Sequence, residues 1–222
     1  MTQPVLNAST NTISNDIYQL IRADIINGKF QPGEKLQIKP MCALYQVGNS
    51  PLREALTKLA ATGLIVQQNQ RGFRIPQVSR KDLEDICNSR IHIEVAALKM
   101  AIAKGDDHWE AQILAQYHQL QKTQQQALVD KAQWERRHTR FHNALIEACD
   151  SPSLLGFCNI LHDQFDRYRR LAPADANIRA ELDEQHRKIM LLSIAREESE
   201  AGELLAQHIK LSAKAAMAMF PK

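Results

Sequence analysis

The 222-residue sequence predicts a mainly α chain in two parts: a small N-terminal lobe of helices closed by a β-hairpin, then a larger all-helical antiparallel bundle. Three observations predict it. Apolar residues recur at helical spacing through Ile17, Leu20, Ile21 and Ile25, and again through Leu52, Ala55, Leu56 and Leu59. The β-like stretch is short, with Leu64-Ile65-Val66 and Phe73-Arg74-Ile75 flanking a turn at Asn69-Gln70-Arg71-Gly72. Beyond Ser79 everything reads as helix, and the aromatic share of 5% suits helix-rich packing.

Taken in order, residues 1–11 are polar and unpatterned and read as a loose arm. The first helix is amphipathic and is closed by Gly28. Gln31-Pro32-Gly33-Glu34 is a turn. The stretch from Lys39 to Arg74 organises the lobe. It opens with a short helix carrying Pro40 in its first turn, then turns at Gln46-Val47-Gly48 into a second helix. Ser50 is placed to cap that helix through its hydroxyl, and Pro51 suits a first helical position, where no N–H is missed. Gly63 is placed to stop it in a left-handed conformation. Two helices at a sharp angle followed by a hairpin make a winged helix-turn-helix, over residues 12–76.

Residues 76–79 read as a linker, with Ser79 and Asp82 spaced as a capping pair. The bundle, residues 77–222, is expected to hold helices near 80–104, 108–129, 131–149, 153–170, 178–196 and 200–219. Gly, Pro and Asp/Ser clusters mark the breaks between them. A ligand cavity is expected between facing helices.

A winged helix-turn-helix can lay its second helix in a DNA major groove. The first turn of that helix offers Asn49, Ser50 and Arg53, side chains able to read base edges or hold phosphates. The expected DNA-facing set is Lys39, Asn49, Ser50, Arg53, Arg71 and Gly72. Charge agrees: up to Pro76 the chain has eight basic and four acidic residues, and beyond it 20 basic and 21 acidic. No apolar run is long enough to cross a bilayer, and no secretory signal opens the chain. Cys42, Cys87, Cys149 and Cys158 include no close pair of the kind that binds zinc, and read as reduced cytoplasmic thiols.

All eight histidines lie in the bundle. His138 and His142 are four apart, so their rings share one helix face, a common way for one helix to offer two imidazoles to one metal ion. His186 and His208 sit on later helices among apolar neighbours. Imidazoles suit divalent transition metals such as zinc or nickel better than magnesium or calcium. Tyr168, Arg169 and Arg170 end a helix that can border the pocket. Trp109 and Trp134 read as packing residues.

From about Ile13 to Ile75 the sequence resembles the DNA-binding domain of GntR-type bacterial repressors. The resemblance rests on Pro32-Gly33-Glu34-Lys35-Leu36, Ser50-Pro51-Leu52-Arg53-Glu54-Ala55-Leu56, Gly63-Leu64 and Arg71-Gly72-Phe73, in order. It departs at Gly48-Asn49, where the family has Ser-Arg or Thr-Arg, so one cationic contact is lost and a different operator, or weaker binding, is implied. From about Arg80 to Phe220 it resembles the all-helical ligand-binding domain of the FadR subgroup. Many members of that subgroup hold a metal through one Asp and three His. The resemblance puts His142, His186 and His208 at the His positions, and His138 where the family has Asp. It also implies that Arg90 faces an effector pocket.

The implied protein is a homodimeric regulator, more a repressor than an enzyme, that binds a palindromic duplex operator. It answers to a small anionic effector, a carboxylate held near a His-bound metal by Arg90, Tyr168 and Arg169. Two other readings stay open: a regulator without metal that takes a larger ligand such as an acyl thioester, and a zinc-dependent hydrolase.

Overall fold

The computed structural model describes residues 10–68, 72–124, 131–172 and 175–220. The chain divides into two compact units, Met1–Val78 and Ser79–Lys222.

In the first unit α1 (Thr10–Ile26) packs on α3 (Asn49–Ala61), with α2 (Ile38–Tyr45) beside α3. The helical period sends Ile17, Ile21 and Ile25 to one side of α1, and Leu52, Ala55, Leu56 and Leu59 to one side of α3. All seven are buried in one core with Leu36, Met41, Leu64, Ile65, Phe73 and Ile75. Three short antiparallel strands close the unit in the order β1 (Lys35–Leu36), β3 (Gly72–Arg74), β2 (Val66–Gln68).

Several local expectations change. Thr10 and Asn11 belong to α1 rather than to a loose arm, because the helix runs back past Ser14, which is fully buried. Ser50 is not the cap of α3. Gly48, extended at φ −74° and ψ 167°, stands at that position, and its carbonyl accepts the Leu52 N–H. Pro51 is thus the third helical residue, still in the turn whose N–H groups need no helical partner. Leu64 and Ile65 precede β2 rather than forming it, since both side chains turn into the core. The strand β1 was not read from sequence, because two residues carry no period. Gly63 does end α3 at φ +73°, a left-handed conformation that side chains disfavour. Of the wing turn, Asn69, Gln70 and Arg71 lie outside the described residues.

The second unit is built from α4 (Arg80–Lys104), α5 (Asp107–Gln124), α6 (Lys131–Ile146), α7 (Pro152–Leu171), α8 (Ala176–Ile194) and α9 (Glu198–Met217), with a 3-10 turn at Glu147–Cys149. The stretch expected to continue α5 over 125–129 lies outside the described residues. Polar residues cap three of these helices. Ser79 accepts the Asp82 N–H, Ser151 the Leu154 N–H, and Asp175 those of Asn177 and Ile178. Helix α4 packs against α9, α7 and α6, while α5–α6 and α8–α9 pair as neighbours. Gly202 lets α9 approach α4, since a Cβ there would meet Lys99 Cε at 3.0 Å and Val95 Cγ1 at 3.1 Å. Among the described residues no helix is long and apolar enough to cross a membrane.

Candidate functional site

On the first unit, Lys39, Asn49, Ser50 and Arg53 are all exposed at the starts of α2 and α3. The buried stripe Leu52–Ala55–Leu56–Leu59 fixes the inner face of α3 and leaves Arg53 on the outer one. The Cys42 thiol donates to Asn49 Oδ1 at 3.3 Å, which orients that amide. Gly72 is half-buried, at φ +86°, where the wing returns into β3. Arg71 lies outside the described residues.

In the second unit, α6 brings His138 and His142 inward, α8 brings His186 and α9 brings His208. One ligand atom from each lies within 4.8 Å of the other three. His142 Nε2 is 3.2 Å from His138 Nε2 and 3.2 Å from His186 Nε2. Nitrogens bound tetrahedrally to zinc at 2.0–2.1 Å stand about 3.3 Å apart, so these spacings fit one shared ion. His142, His186 and His208 are buried, and His138 is half-buried. Burial first, and then the neighbouring rings, holds His138, His142 and His208 well below the ordinary imidazole pKa, and burial pushes His186 down to about 3. The rings are therefore neutral, the form that ligates. His208 Nδ1 bonds Gln185 Oε1 at 3.2 Å, which leaves Nε2 as the free lone pair of that ring. The donor set fits a divalent transition ion such as zinc or nickel.

The cavity beside the cluster has a volume of about 20 Å³, room for a water-sized group. Arg90, His162, Phe165, Asp166, Arg169 and Ser212 line it together with three of the four imidazoles. Both expected anion anchors already have partners. Arg90 donates from Nε to Glu94 Oε1 at 2.6 Å and from Nη2 to Glu94 Oε2 at 3.2 Å. Arg169 makes a two-pronged pair with Glu135 and also bonds Asp166. Tyr168 does not belong to the cavity at all. Its ring is buried, and its hydroxyl donates to Asp82 and accepts the Ser79 N–H.

Three residues of the site escaped the sequence reading. Glu94 is one turn from Arg90, and i,i+4 spacing was the available signal. Burial would raise its carboxyl, but the Arg90 guanidinium and the His162 ring outweigh that and hold it down to about 2. His162 Nε2 lies 2.9 Å from Glu94 Oε2, a contact across two helices that no local pattern announces. Trp134, read as packing, stacks on His138 with ring centroids 4.7 Å apart, and the Arg169 guanidinium lies 5.4 Å from its ring. Trp109 is a packing residue, buried, with its indole N–H on the Ala144 carbonyl at 2.9 Å.

Comparison with known proteins agrees with both halves. Residues 13–75 match the family described as bacterial regulatory proteins, gntR family, and residues 85–211 match the FCD domain. The chain is 36% identical over 202 residues to the HTH-type transcriptional repressor GlaR of Escherichia coli strain K12, covering 88% of this chain and 92% of that protein. It is 34% identical over 213 residues to the HTH-type transcriptional regulator BphR of Paraburkholderia xenovorans strain LB400, covering 94% and 87%. Among solved structures, E. coli McbR/YncC has the same fold, with a TM-score of 0.82 at 19% identity over 94% of this chain and 99% of that one. With its winged DNA-binding domain and its helical FCD domain, the chain belongs to the GntR family, in the FadR subgroup, and is a DNA-binding transcriptional regulator rather than an enzyme.

Proposed function

We propose that the chain is a cytoplasmic, homodimeric repressor whose helical domain holds one divalent transition ion, zinc or nickel, through His138, His142, His186 and His208. A small carboxylate effector binding beside that ion weakens the grip of the winged domains on a palindromic operator. The observation that carries the reading is the four-imidazole cluster, whose ligand atoms lie within 4.8 Å of one another and two of whose spacings, at 3.2 Å, match the edge of a coordination tetrahedron. A relative named as a repressor supports the direction of control.

The charge pattern sharpens the reading. Glu94 neutralises Arg90, while Glu135 and Asp166 offset Arg169 and the nearby Arg170. Four neutral imidazoles leave a divalent ion at +2, where the usual Asp would leave it at +1. The ion is then the main attraction for an anion, and Arg90 contributes through the part of its guanidinium that Glu94 does not hold. When bound, the ion supplies a Lewis-acidic position; the side chains orient the anion and exclude water. An effector that favours one arrangement of the dimer shifts the DNA equilibrium by its differential affinity for the two states. A cavity of about 20 Å³ favours a small ligand over an acyl thioester.

Metal analysis of protein purified without added metal tests the reading. Close to one equivalent per chain, or uptake of one equivalent of added zinc or nickel, is expected. Less than a tenth of an equivalent, with no uptake, sinks it.

A further inference from the structure

The last turns of α7 carry two stripes. His162, Phe165, Asp166 and Arg169 face the cavity. Tyr168, beside Arg169 and one turn from Phe165, turns its hydroxyl away from the cavity to the first turn of α4. It donates to Asp82 Oδ2 at 2.5 Å and accepts the Ser79 N–H at 3.2 Å. Ser79 Oγ in turn accepts the Asp82 N–H at 3.1 Å. The Tyr168 hydroxyl thus ties the first turn of α4 to α7 through the Asp82 carboxylate and the Ser79 N–H. Ser79 is also where the chain enters the helical unit, and only residues 76–78 separate it from Ile75, the last residue held in the core of the first unit. Eleven residues further along α4, Arg90 lines the cavity.

We propose that Tyr168 and Asp82 are positioning residues for DNA binding. Their hydroxyl–carboxylate joint fixes the point at which the linker leaves the helical unit. It thereby restricts the two winged units of a dimer to the separations that a two-half-site operator needs. The inference rests on the dimeric reading above. The physical reason is that a helix's first turn has no intrahelical partners for its N–H groups and frays first. Without the hydroxyl, the Ser79 N–H and the Asp82 carboxylate lose their shared partner, and a frayed turn adds about three residues to a linker of about three. Effective concentration at the second half-site falls roughly as the −3/2 power of linker length, so doubling the linker costs about threefold. Because α7 carries both stripes, a ligand that shifts α7 at the cavity also strains the joint.

The test uses the full chain, and the probe is a duplex selected from a random library by the wild-type protein. Fluorescence anisotropy gives the affinity for that duplex and for one with a half-site destroyed. Tyr168→Phe, and independently Asp82→Asn, are expected to bind the intact duplex about threefold more weakly. Affinity for the half-site duplex, sedimentation mass and metal uptake stay unchanged. An affinity for the intact duplex within twofold of wild type overturns the proposal, and so does an equal fall on both duplexes, the mark of a general folding defect. A wild-type chain that sediments as a monomer at DNA-binding concentrations removes the dimeric reading, and the inference with it.

Discussion

Arg53 sits on the outer face of α3, one turn from the buried Leu56, in the position from which a recognition helix reaches a groove. Arg53→Ala is expected to weaken operator binding by ~1–3 kcal/mol, read by gel-shift titration. No change there means that Arg53 is not at the DNA. Glu94 is the residue on which the interior charge pattern turns. Its folded carboxyl, held down to about 2 against an ordinary 4.5, binds fewer protons than in the unfolded chain. That difference contributes stability above about pH 4.5 and is lost as the pH falls towards 2. Metal-free protein is therefore expected to show a urea midpoint that declines across this window. The Glu94→Gln variant should start about 3–5 kcal/mol lower at neutral pH, because Arg90 is left buried without its carboxylate. A midpoint flat from pH 5 to pH 3 would contradict the pairing. His138→Asp restores the charge of the usual ligand set. It is expected to keep the metal but to bind acetate or citrate more weakly, and calorimetry on zinc-loaded protein reads this.

At the scale of elements, the helices follow from what their own residues supply. Asp175 accepts two N–H groups at the start of α8, the helix that carries His186. Asp175→Ala should cost ~1 kcal/mol by chemical denaturation, and an unchanged midpoint would mean that the first turn of α8 holds without its cap. The expected start of α4 at residue 80 agrees with the structure, because Ser79 is a true cap. The expected cap at Ser50 does not, because an extended glycine two residues earlier already provides the carbonyl that starts α3. Polar residues that can cap are frequent, and which one does depends on the backbone angle before it. Strand β1 was illegible for another reason. Its two residues are a strand only because β3 lies beside them, with Leu36 opposite Phe73.

For the whole molecule, metal binding to the folded chain alone raises apparent stability in proportion to the logarithm of ligand over dissociation constant. About 4 kcal/mol is expected at a thousandfold excess. Chelator treatment should lower the melting temperature of wild-type protein and leave His186→Ala unaffected. An equal response of both would remove the ion from the fold. The two-unit plan, the GntR and FadR resemblance, and the four imidazoles were all legible in the sequence. Helix faces are set by a period of 3.6 residues, and the fingerprints lie close together along the chain. What the sequence alone determined is which residues each helix turns inward: His138 with His142, His186 with Ile189, His208 with Leu205. Tertiary structure decided what they meet there. It set His162 of α7 against Glu94 of α4, gave Arg169 of α7 to Glu135 of α6, and took Tyr168 out of the cavity to the start of α4. Those pairings depend on how separate helices lean and rotate against one another as their side chains interlock, and no periodicity within a single helix encodes that.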